Sequence, residues 1–300
     1  MIIVEIMGGL GNQMFQYAYS RAIQEEYKEN LYISTDMYNQ NKIRTYSLCN
    51  LNINTNIHNI NFDILDKYKL KKFRKMYRLY QKVKRTLKKS DVLGENLFNF
   101  CTKRGMLFNY DRYYYDTLKT DKDIKYIFGY FQSEKYFYSY KDIIKEELKV
   151  NIPPTEKEIT LINEINNCNS IGVSMRLGDD YINSKGLNVC TDEFYRKGMN
   201  YISDKYEDAI FYIFSDDINK AKKIIGEDKN IRYIEGFNDF QSMRLLYSCK
   251  HFIISNSSFA WWGSYLSDNE SKVIVAPNRW YNDADRTPDI YTKDMYLIEV

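Results

Sequence analysis

Histidine and cysteine, from which many metal sites and nucleophilic triads are built, are scarce in this sequence. The 300-residue chain has two histidines, His58 and His251, and five scattered cysteines that form no C-x-x-C pair. Neither histidine has metal-ligand spacing to the other or to a cysteine, so a zinc site or a Ser-His-Asp triad would have to rest on a single histidine. Odd, scattered cysteines are typical of reduced thiols in a cytoplasmic protein.

Long apolar runs are absent as well. No stretch approaches the roughly 18 apolar residues that a membrane-spanning helix needs. The first residues, Met1 to Glu5, lack the basic segment that begins a signal peptide. We therefore expect a cytoplasmic protein, either soluble or bound peripherally to the inner face of the plasma membrane.

Proline is rare, with four in the chain, and two of the four are consecutive. Pro153 and Pro154 cannot continue a helix, and such a pair usually marks a linker. A chain of 300 residues has the length of two ordinary domains. We therefore predict a first domain over residues 1–150 and a second over residues 155–300.

Charge of one sign is not in large excess, because the formal net charge is +3. This near balance argues against a protein that binds nucleic acid. Residues 67–89, however, carry twelve lysines and arginines and no acid, which leaves about −9 for the rest of the chain. Apolar residues recur there at helical spacing, which predicts an amphipathic basic helix. Such a helix binds an anionic membrane surface or, in some proteins, nucleic acid, or it is simply a solvated face of the protein. The apolar positions are Leu70, Phe73, Met76, Tyr80, Val83 and Leu87.

The order of apolar segments indicates an α/β protein with parallel sheets. A strand, a glycine-rich turn, a helix and a second strand begin the chain as a βαβ unit, and the second half alternates strictly between strand and helix. From the basic helix to residue 121 the pattern predicts irregular structure. The predicted strands are 2–6, 31–34, 125–131, 171–175, 209–214, 231–234, 251–254 and 272–275, and the other predicted helices are 13–27, 134–149, 155–166, 192–206, 217–225, 239–248 and 257–266.

The glycine-rich turn reads Gly8-Gly9-Leu10-Gly11-Asn12-Gln13. Glycines between a strand and a helix let backbone N–H groups approach an anion at the positive end of the helix. Met14 stands where a dinucleotide fingerprint has its third glycine, so that fingerprint is not met. The turn predicts an anion contact, and a plain tight turn is the alternative.

Polar residues follow three of the predicted strands in the second half. Arg176 and Asp179 follow one strand, Asp216 follows the next along the chain, and Ser257 and Ser258 follow a third. Carboxyl ends of parallel strands meet at one edge of a sheet, where ligands bind. An arginine suits a phosphate, and serines at a helix start suit a pyrophosphate. Each residue taken singly is also explained by a surface salt bridge or a helix cap, but the three ends together favour a nucleotide.

Six short segments, in order along nearly the whole chain, carry a family resemblance. They are GGLGNQMFQYA at 8–18, FGYFQSEKYF at 128–137, SMRLGDDY at 174–181, CTDEFYRKGM at 190–199, FSDD at 214–217 and SNSSFAWWGSYL at 255–266. Together they resemble the bacterial α-1,2-fucosyltransferases of glycosyltransferase family 11. The resemblance implies a GT-B-like fold, in which two Rossmann-type domains with parallel sheets face a central cleft. The first domain would then lie on the acceptor side and the second would bind the donor.

The same resemblance implies the reaction. L-fucose would pass from GDP-L-fucose, with inversion, to the 2-hydroxyl of a terminal galactoside in the synthesis of bacterial O-antigen or capsule. No metal and no other cofactor is expected. The expected partners are GDP-L-fucose, a galactose-terminated oligosaccharide that can be lipid-linked, and an anionic membrane surface bound through residues 67–89.

The resemblance also assigns roles to residues. Arg176 matches the arginine that binds the donor β-phosphate, Asp216 matches an aspartate near the guanine, and Asn12 matches an asparagine that points into the cleft. The other predicted donor contacts are Gly8, Gly9, Gly11, Gln13, Gly178, Ser257, Ser258 and Phe259.

One departure from the family pattern concerns the motif H-x-R-R-x-D. Ser174 stands for its histidine and Leu177 for its second arginine. The lost cation either weakens donor binding or is replaced by another residue. Either outcome makes donor binding depend more strongly on Arg176.

The predicted mechanism follows from the leaving group. As the donor C1–O bond breaks, the departing GDP phosphate gains charge, which Arg176 can stabilise without a metal. Inversion needs a base for the acceptor proton, and Asp179 is the first choice, with Asp180 and Glu5 as rivals.

Aromatic residues make up 16% of the chain, and most of them are expected in the core. Aromatic rings also stack against sugar faces, so four residues inside the matching segments are predicted acceptor contacts. These are Tyr130, Phe131, Trp261 and Trp262.

Three alternatives to the fucosyltransferase remain. A non-catalytic sugar-nucleotide binder is suggested by Ser174 and Leu177. A Rossmann oxidoreductase would place Asp36 on a ribose, although Met14 counts against it. A metal-dependent GT-A enzyme would use a D-x-D string, at 121–123 or 283–285, but neither string follows a convincing strand.

Overall fold

The computed structural model describes residues 1–40, 44–54, 58–59, 70–86, 91–110, 112–284 and 286–300. The chain divides into two compact units, Met1–Glu147 and Leu148–Val300. Each unit contains one β-sheet in which every strand pair is parallel. The predicted α/β class, with a parallel sheet of the Rossmann type in each of two units, is confirmed.

The first unit has a five-stranded sheet with buried central strands. Its strands are β1 (Ile2–Glu5), β2 (Leu31–Ser34), β3 (His58–Asn59), β4 (Met106–Asn109) and β5 (Lys125–Gly129), in the order β3-β2-β1-β5-β4. β1, β4 and β5 are buried along their whole length, as expected for parallel strands covered on both faces. The helices are α1 (Leu10–Tyr27), α2 (Asp36–Gln40), α3 (Leu70–Thr86), α4 (Asp91–Thr102) and α5 (Lys141–Glu147), with 3₁₀ turns at Leu48–Asn50, Glu134–Tyr136 and Tyr138–Tyr140.

Helix α3 forms within the predicted basic segment, whose residues 67–69 and 87–89 lie outside the described residues. Its inner side reaches the core of the first unit, where Leu70 and Tyr77 are buried with Phe108 and Phe128. Part of the predicted apolar face therefore packs on the sheet. The outer side exposes Met76 and Leu79, which are 56% and 64% accessible, together with lysines. The exposed lysines are Lys72, Lys75 and Lys82.

The second unit has a six-stranded sheet in which β6 is central. Its strands are β6 (Asn169–Met175), β7 (Ala209–Ser215), β8 (Ile231–Tyr233), β9 (His251–Ile254), β10 (Ile274–Pro277) and β11 (Met295–Ile298), in the order β11-β10-β9-β6-β7-β8. The strand order reverses at β6, which is where doubly wound sheets bind ligands. The helices are α6 (Glu156–Asn166), α7 (Asp179–Ile182), α8 (Asp192–Ser203), α9 (Ile218–Ile225), α10 (Asp239–Ser248) and α11 (Ser258–Leu266).

The secondary structure differs from the prediction in several places. The stretch expected to be irregular contains α4 and β4, and the sequence analysis does not predict α2, α7, β3 or β11. The single helix expected over residues 134–149 is two 3₁₀ turns followed by the short α5. Aromatic residues are poor helix formers, and Tyr136 is fixed in place because its hydroxyl accepts hydrogen bonds from Asn109 Nδ2 and the Tyr115 N–H. Tertiary contacts therefore override the helical pattern there.

Among the described residues, no helix combines the length and the apolar character needed to cross a bilayer.

Candidate functional site

Three adjacent strands of the second unit carry the predicted site residues at their carboxyl ends. β6 lies between β7 and β9, with Met175 opposite Ser215 and Ser174 opposite Ile254. Arg176, Asp216 and Ser255 are the first residues after these strands. The strand-end residues therefore meet at one edge of the sheet, as predicted from the parallel pattern.

Asp216 fixes the loop that follows β6. Its Oδ1 atom accepts hydrogen bonds from the Leu177 N–H at 2.6 Å and the Gly178 N–H at 2.8 Å. A Cβ atom on Gly178 would lie 2.8 Å from Asp216 Oδ2, so glycine lets the carboxylate come this close. The predicted role of Asp216 near a guanine is thus joined by a second one, which is to shape the loop that carries Arg176.

Arg176 is held between two carboxylates. Its Nη2 atom donates to Asp180 Oδ2 at 2.9 Å, and its Nε atom lies 4.0 Å from Asp216 Oδ2. The Nε atom is buried and donates no hydrogen bond to any of the described residues. The guanidinium carbon lies 5.7 Å from the centre of the Tyr181 ring. The guanidinium is partly exposed, and the exposed Asp180 is the partner that an incoming phosphate can displace.

Leu177, where the family motif has its second arginine, is 6% exposed and belongs to the core of the second unit. A cation stands beside it nonetheless. Lys220 Nζ on α9 donates to the Leu177 carbonyl at 3.2 Å and to Asp179 Oδ1 at 2.9 Å, and it lies 3.2 Å from Asp217 Oδ2. The hydrogen bonds to Asp179 and Asp217 raise the pKa of Lys220 above its ordinary value, so it stays charged. Sequence reasoning missed Lys220, because nothing in a helix with three lysines distinguishes one of them.

The three candidate bases differ in accessibility. Asp179 is 86% exposed and Asp180 54%, whereas Glu5 in the first unit is 0% exposed. Glu5 is paired with Arg74 of α3 and accepts a hydrogen bond from the Tyr126 hydroxyl. Glu5 as a rival base is therefore wrong, since a buried and ion-paired carboxylate cannot reach an acceptor hydroxyl.

The segment from β9 to α11 presents a helix start. Ser257 is the N-cap of α11, yet its side chain makes no capping hydrogen bond among the described residues, and its N–H donates to the Ser255 carbonyl at 2.7 Å. The Ser255 hydroxyl is buried without a hydrogen-bond partner in the described part of the chain. Ser258 and Phe259 are partly exposed. The first-turn N–H groups of a helix attract anions, so this turn suits a phosphate placed beside Arg176.

A buried network joins the loops after β6 and β9. The Tyr181 hydroxyl donates to Asn256 Oδ1 at 2.6 Å and accepts from the Val189 and Cys190 N–H groups at 3.0 Å each. Asn256 Nδ2 donates to the carbonyl oxygens of Leu187 and Trp280. Sequence reasoning missed this support, although Tyr181 and Asn256 stand inside the matching segments.

In the first unit the predicted glycine turn forms at the carboxyl end of β1. Gly8 has φ +82°, which favours glycine, and a Cβ there would lie 2.9 Å from Asn12 Nδ2. Gly9 is the N-cap of α1, and no described atom lies within 4 Å of where its Cβ would stand. Gly11 is buried in the first turn of α1. Asn12 Oδ1 accepts from Gln132 Nε2 at 2.7 Å.

Gln13 does not face a ligand. It is fully buried, its Nε2 donates to the carbonyls of Gly8 and Thr45, and its Oε1 accepts from the Ser47 N–H. Its predicted donor contact is corrected to a structural one, because the side chain ties residues 45–47 to the glycine turn.

Three of the four predicted stacking residues are buried. Trp261 and Trp262 are inaccessible in α11, where Trp261 Nε1 donates to the Ile290 carbonyl. Phe131 is 1% exposed and stacks on Tyr19 with ring centres 4.2 Å apart. None of these rings can meet a sugar, so their prediction is wrong. Tyr130 is half-buried against Tyr110 and stays a predicted contact.

No group of three or more His, Cys, Asp or Glu side chains arranged to hold a metal occurs within the described ranges. Of the two D-x-D strings, 121–123 precedes β5 rather than following a strand, and residue 285 lies outside those ranges.

Two parallel-sheet units, with an arginine and a helix start at the switch point of the second, fit an enzyme that binds a phosphorylated ligand, and glycosyltransferases are one such class. The family model described as glycosyl transferase family 11 matches residues 1–299, and the chain belongs to this family. The resemblance drawn from the six segments is thereby confirmed.

Among curated relatives, an α-1,2-colitosyltransferase of Escherichia coli is 28% identical over 97% of this chain and 98% of its own. The O-antigen biosynthesis glycosyltransferase WbnK of Escherichia coli is 28% identical over 92% of this chain and 93% of its own. Among solved structures, the fucosyltransferase NodZ from Bradyrhizobium is 11% identical over 88% of this chain and 92% of its own, with a TM-score of 0.47.

Proposed function

We propose that the protein transfers L-fucose from GDP-L-fucose to the 2-hydroxyl of a terminal galactoside, with inversion to an α-1,2 linkage, in the synthesis of a bacterial O-antigen or capsule. The observation that carries this proposal is the meeting of Arg176, Asp216 and the start of α11 at one sheet edge in a chain of family 11. A galactoside 2-α-L-fucosyltransferase of Caenorhabditis elegans, 28% identical over 54% of this chain and 46% of its own, supports the acceptor and the linkage. WbnK supports the place in O-antigen synthesis.

In this proposal the GDP leaving group is stabilised by the protein's own cations. Arg176 binds the β-phosphate and exchanges its contact with Asp180 for one with the donor. Backbone N–H groups at the start of α11 bind the pyrophosphate, beside Ser257, Ser258 and Phe259. Lys220 supplies the second cation, because it stands beside Leu177, where the family motif has an arginine. Transfer insensitive to EDTA would agree with this assignment, and loss of activity that Mg²⁺ restores would overturn it.

Asp179 remains the proposed base for the acceptor proton, since it is the most exposed of the three carboxylates considered. The Asp179→Asn variant should lose transfer and keep GDP binding. An Asp180→Asn variant serves as the comparison, because it removes the neighbouring carboxylate instead.

A second candidate donor is a colitose nucleotide, because the colitosyltransferase aligns with nearly the whole chain. The deciding experiment offers purified protein GDP-L-fucose or GDP-colitose with a panel of β-galactosides and follows products by mass spectrometry. Fucosylated product that methylation analysis places on the 2-hydroxyl supports the first proposal. Exclusive use of the colitose donor would replace it, and neither transfer nor donor hydrolysis with either sugar would overturn both.

We also propose that the outer side of α3 binds the anionic inner leaflet, where a lipid-linked acceptor would be found. Its support is the surface of Lys72, Lys75 and Lys82 around the exposed Met76 and Leu79. Co-sedimentation with vesicles of phosphatidylcholine and phosphatidylglycerol should rise with the anionic fraction and fall with salt. Binding that ignores both lipid charge and salt would overturn this proposal.

A further inference from the structure

The first unit contains a cavity of about 290 Å³ that no predicted contact explains. We call it the tyrosine pocket, after the five tyrosines among its lining residues, Tyr19, Tyr114, Tyr136, Tyr138 and Tyr140. We propose that it is a carbohydrate subsite, which binds one sugar unit of the acceptor glycan other than the unit that receives the transferred sugar. The assignment to an acceptor rests on the proposed function, whereas the capacity to bind sugar does not.

The tyrosine pocket is separate from the glycine turn. Its residues on α1 run from Tyr19 to Glu26, which is 10 to 17 positions beyond Gly9. At 1.5 Å per residue these positions lie about 15 to 25 Å along the helix from the turn. The segment after β5 links the two places, because Phe131 stacks on Tyr19 of the pocket and the next residue, Gln132, donates to Asn12 in the turn. A sugar in the pocket therefore lies apart from a group bound at the turn but on the same side of the segment that follows β5.

The floor of the pocket is rigid. The buried Tyr136 ring packs edge-on against Tyr19 and Tyr114, with ring centres 4.8 Å apart in each case. Its hydroxyl accepts hydrogen bonds from Asn109 Nδ2 at 2.7 Å and the Tyr115 N–H at 3.1 Å. Tyr19 is fixed in turn, since its hydroxyl lies 2.9 Å from Thr117 Oγ1. A preorganised aromatic floor lowers the ordering cost of binding a ring-shaped ligand.

The rim offers both an aromatic face and polar groups. Tyr138 is 55% exposed, so its ring can pack on the apolar face of a pyranose. Asp116 accepts a hydrogen bond from the Tyr114 hydroxyl at 2.6 Å, and Lys135 Nζ lies 5.7 Å from the Tyr114 ring centre. Glu26 lines the opposite side on α1. Carboxylate and ammonium groups can accept from and donate to neighbouring sugar hydroxyls.

These features favour a neutral sugar over other ligands. The lining carries two carboxylates, Asp116 and Glu26, and one ammonium group, Lys135, so it offers no excess of positive charge to a phosphate or a nucleotide. The volume lies at the small end of the roughly 300 to 1,000 Å³ of ligand pockets, which fits one sugar unit rather than a drug-sized molecule. Tyrosines with a few polar groups, rather than an aliphatic lining, suit a ligand that has both a hydroxylated edge and an apolar face.

The first test measures binding without donor or transfer. Saturation-transfer NMR is recorded on the full chain with the methyl glycosides of galactose, glucose, mannose, N-acetylgalactosamine and N-acetylglucosamine. We expect at least one glycoside to bind to the wild type and to Tyr138→Phe, which keeps the ring, and at least fivefold more weakly to Tyr138→Ala. Arg176→Ala should keep this binding. No binding by any glycoside, equal binding by Tyr138→Ala, or binding lost only in Arg176→Ala would overturn the proposal.

The second test uses the reaction. With lacto-N-tetraose as acceptor, Tyr138→Ala should raise KM at least fivefold and leave kcat unchanged, whereas KM for methyl β-galactoside should stay at the wild-type value. A merely structural defect would change both acceptors alike and would overturn the proposal. Should the enzyme transfer nothing to galactosides, the proposed function fails, and the NMR result still decides whether the pocket binds sugar.

Discussion

Lys220 Nζ lies 2.9 Å from Asp179 Oδ1 and thereby brings a charged ammonium from α9 to the loop that carries Arg176. Asp179 directly follows Gly178, whose N–H donates a hydrogen bond to Asp216. Asp179, which follows β6, thus holds the ammonium group of Lys220, and Asp216, which follows β7, holds the loop that carries Arg176. The loss of the second arginine of the family motif is in this way accompanied by a cation from a different element.

Lys220→Ala should raise the KM for the nucleotide-sugar donor about tenfold, because one hydrogen bond to a charged group contributes about 1.5 kcal/mol or more. Lys220→Arg should recover most of that loss. Lys222→Ala is the matched control, since Lys222 lies on the same helix and pairs with Glu235 instead. Steady-state kinetics decide it, and equal donor KM values for Lys220→Ala and Lys222→Ala would contradict the role given to Lys220.

Gly178→Ala should weaken GDP binding strongly while leaving the thermal midpoint within a few degrees of wild type. The added Cβ would meet Asp216 Oδ2 at 2.8 Å, so the carboxylate must give up its position under the loop. Asp216→Asn keeps the size but weakens both backbone hydrogen bonds, and it should show a milder form of the same defect. Titration calorimetry with GDP measures both variants. GDP affinity unchanged in Gly178→Ala would show that the loop does not depend on this close approach.

Acid should destabilise the second unit partly through His251. Burial lowers the pKa of His251 below its ordinary 6.5, helped by Lys250, and Nδ1 accepts a hydrogen bond from the Val273 N–H at 3.1 Å. The unfolded chain therefore binds the proton more readily, so stability is full above pH about 6.5 and falls below it, by at most about 1.4 kcal/mol per pH unit.

Urea unfolding of the wild type and His251→Gln between pH 5 and 7.5 checks this expectation. The wild-type free energy of unfolding should fall more steeply on acidification than that of the variant. Parallel curves would mean that His251 contributes nothing to the pH dependence.

Breaking a buried ion pair should lower the free energy of unfolding more than breaking an exposed one. Arg244 Nη1 lies 2.7 Å from Glu158 Oε1, with side chains 8% and 1% exposed, and Glu158 also completes the capping box with Thr155. Arg244→Met should cost about 3 to 5 kcal/mol, since it leaves a buried carboxylate without its cation. Arg232→Met, which breaks the exposed pair with Glu164, should cost at most about 1 kcal/mol. Chemical denaturation compares the two variants, and similar losses would contradict the difference in burial.

The edge of the second sheet could be predicted from sequence because parallel strands follow a simple rule. Each apolar run there ends in polar residues, and the carboxyl ends of such strands meet, so the sequence alone predicts that Arg176 and Asp216 lie at one edge of the sheet. The start of α11 followed from the same rule, with Ser257 as its N-cap.

Other parts of the site depend on packing that no local pattern records. Trp261 and Trp262 read equally well as sugar contacts or as core, and only the fold shows that both are buried. The sequence does not show that Glu5 is paired with Arg74, because the two residues are 69 positions apart and meet only through the packing of α3 on the sheet. The place of Lys220 in the site follows only from the structure, in which its Nζ atom lies within hydrogen-bond distance of Asp179.

The two sides of helix α3 have different roles. Leu70, Arg74 and Tyr77 attach it to the sheet, whereas Lys72, Lys75 and Lys82 face outward. The charges of Lys72 and Lys75 can therefore be changed by mutation without disturbing the packing of α3 on the sheet. A variant with acidic residues at these two positions should fold as the parent does, and it offers a reagent for glycan synthesis in solution.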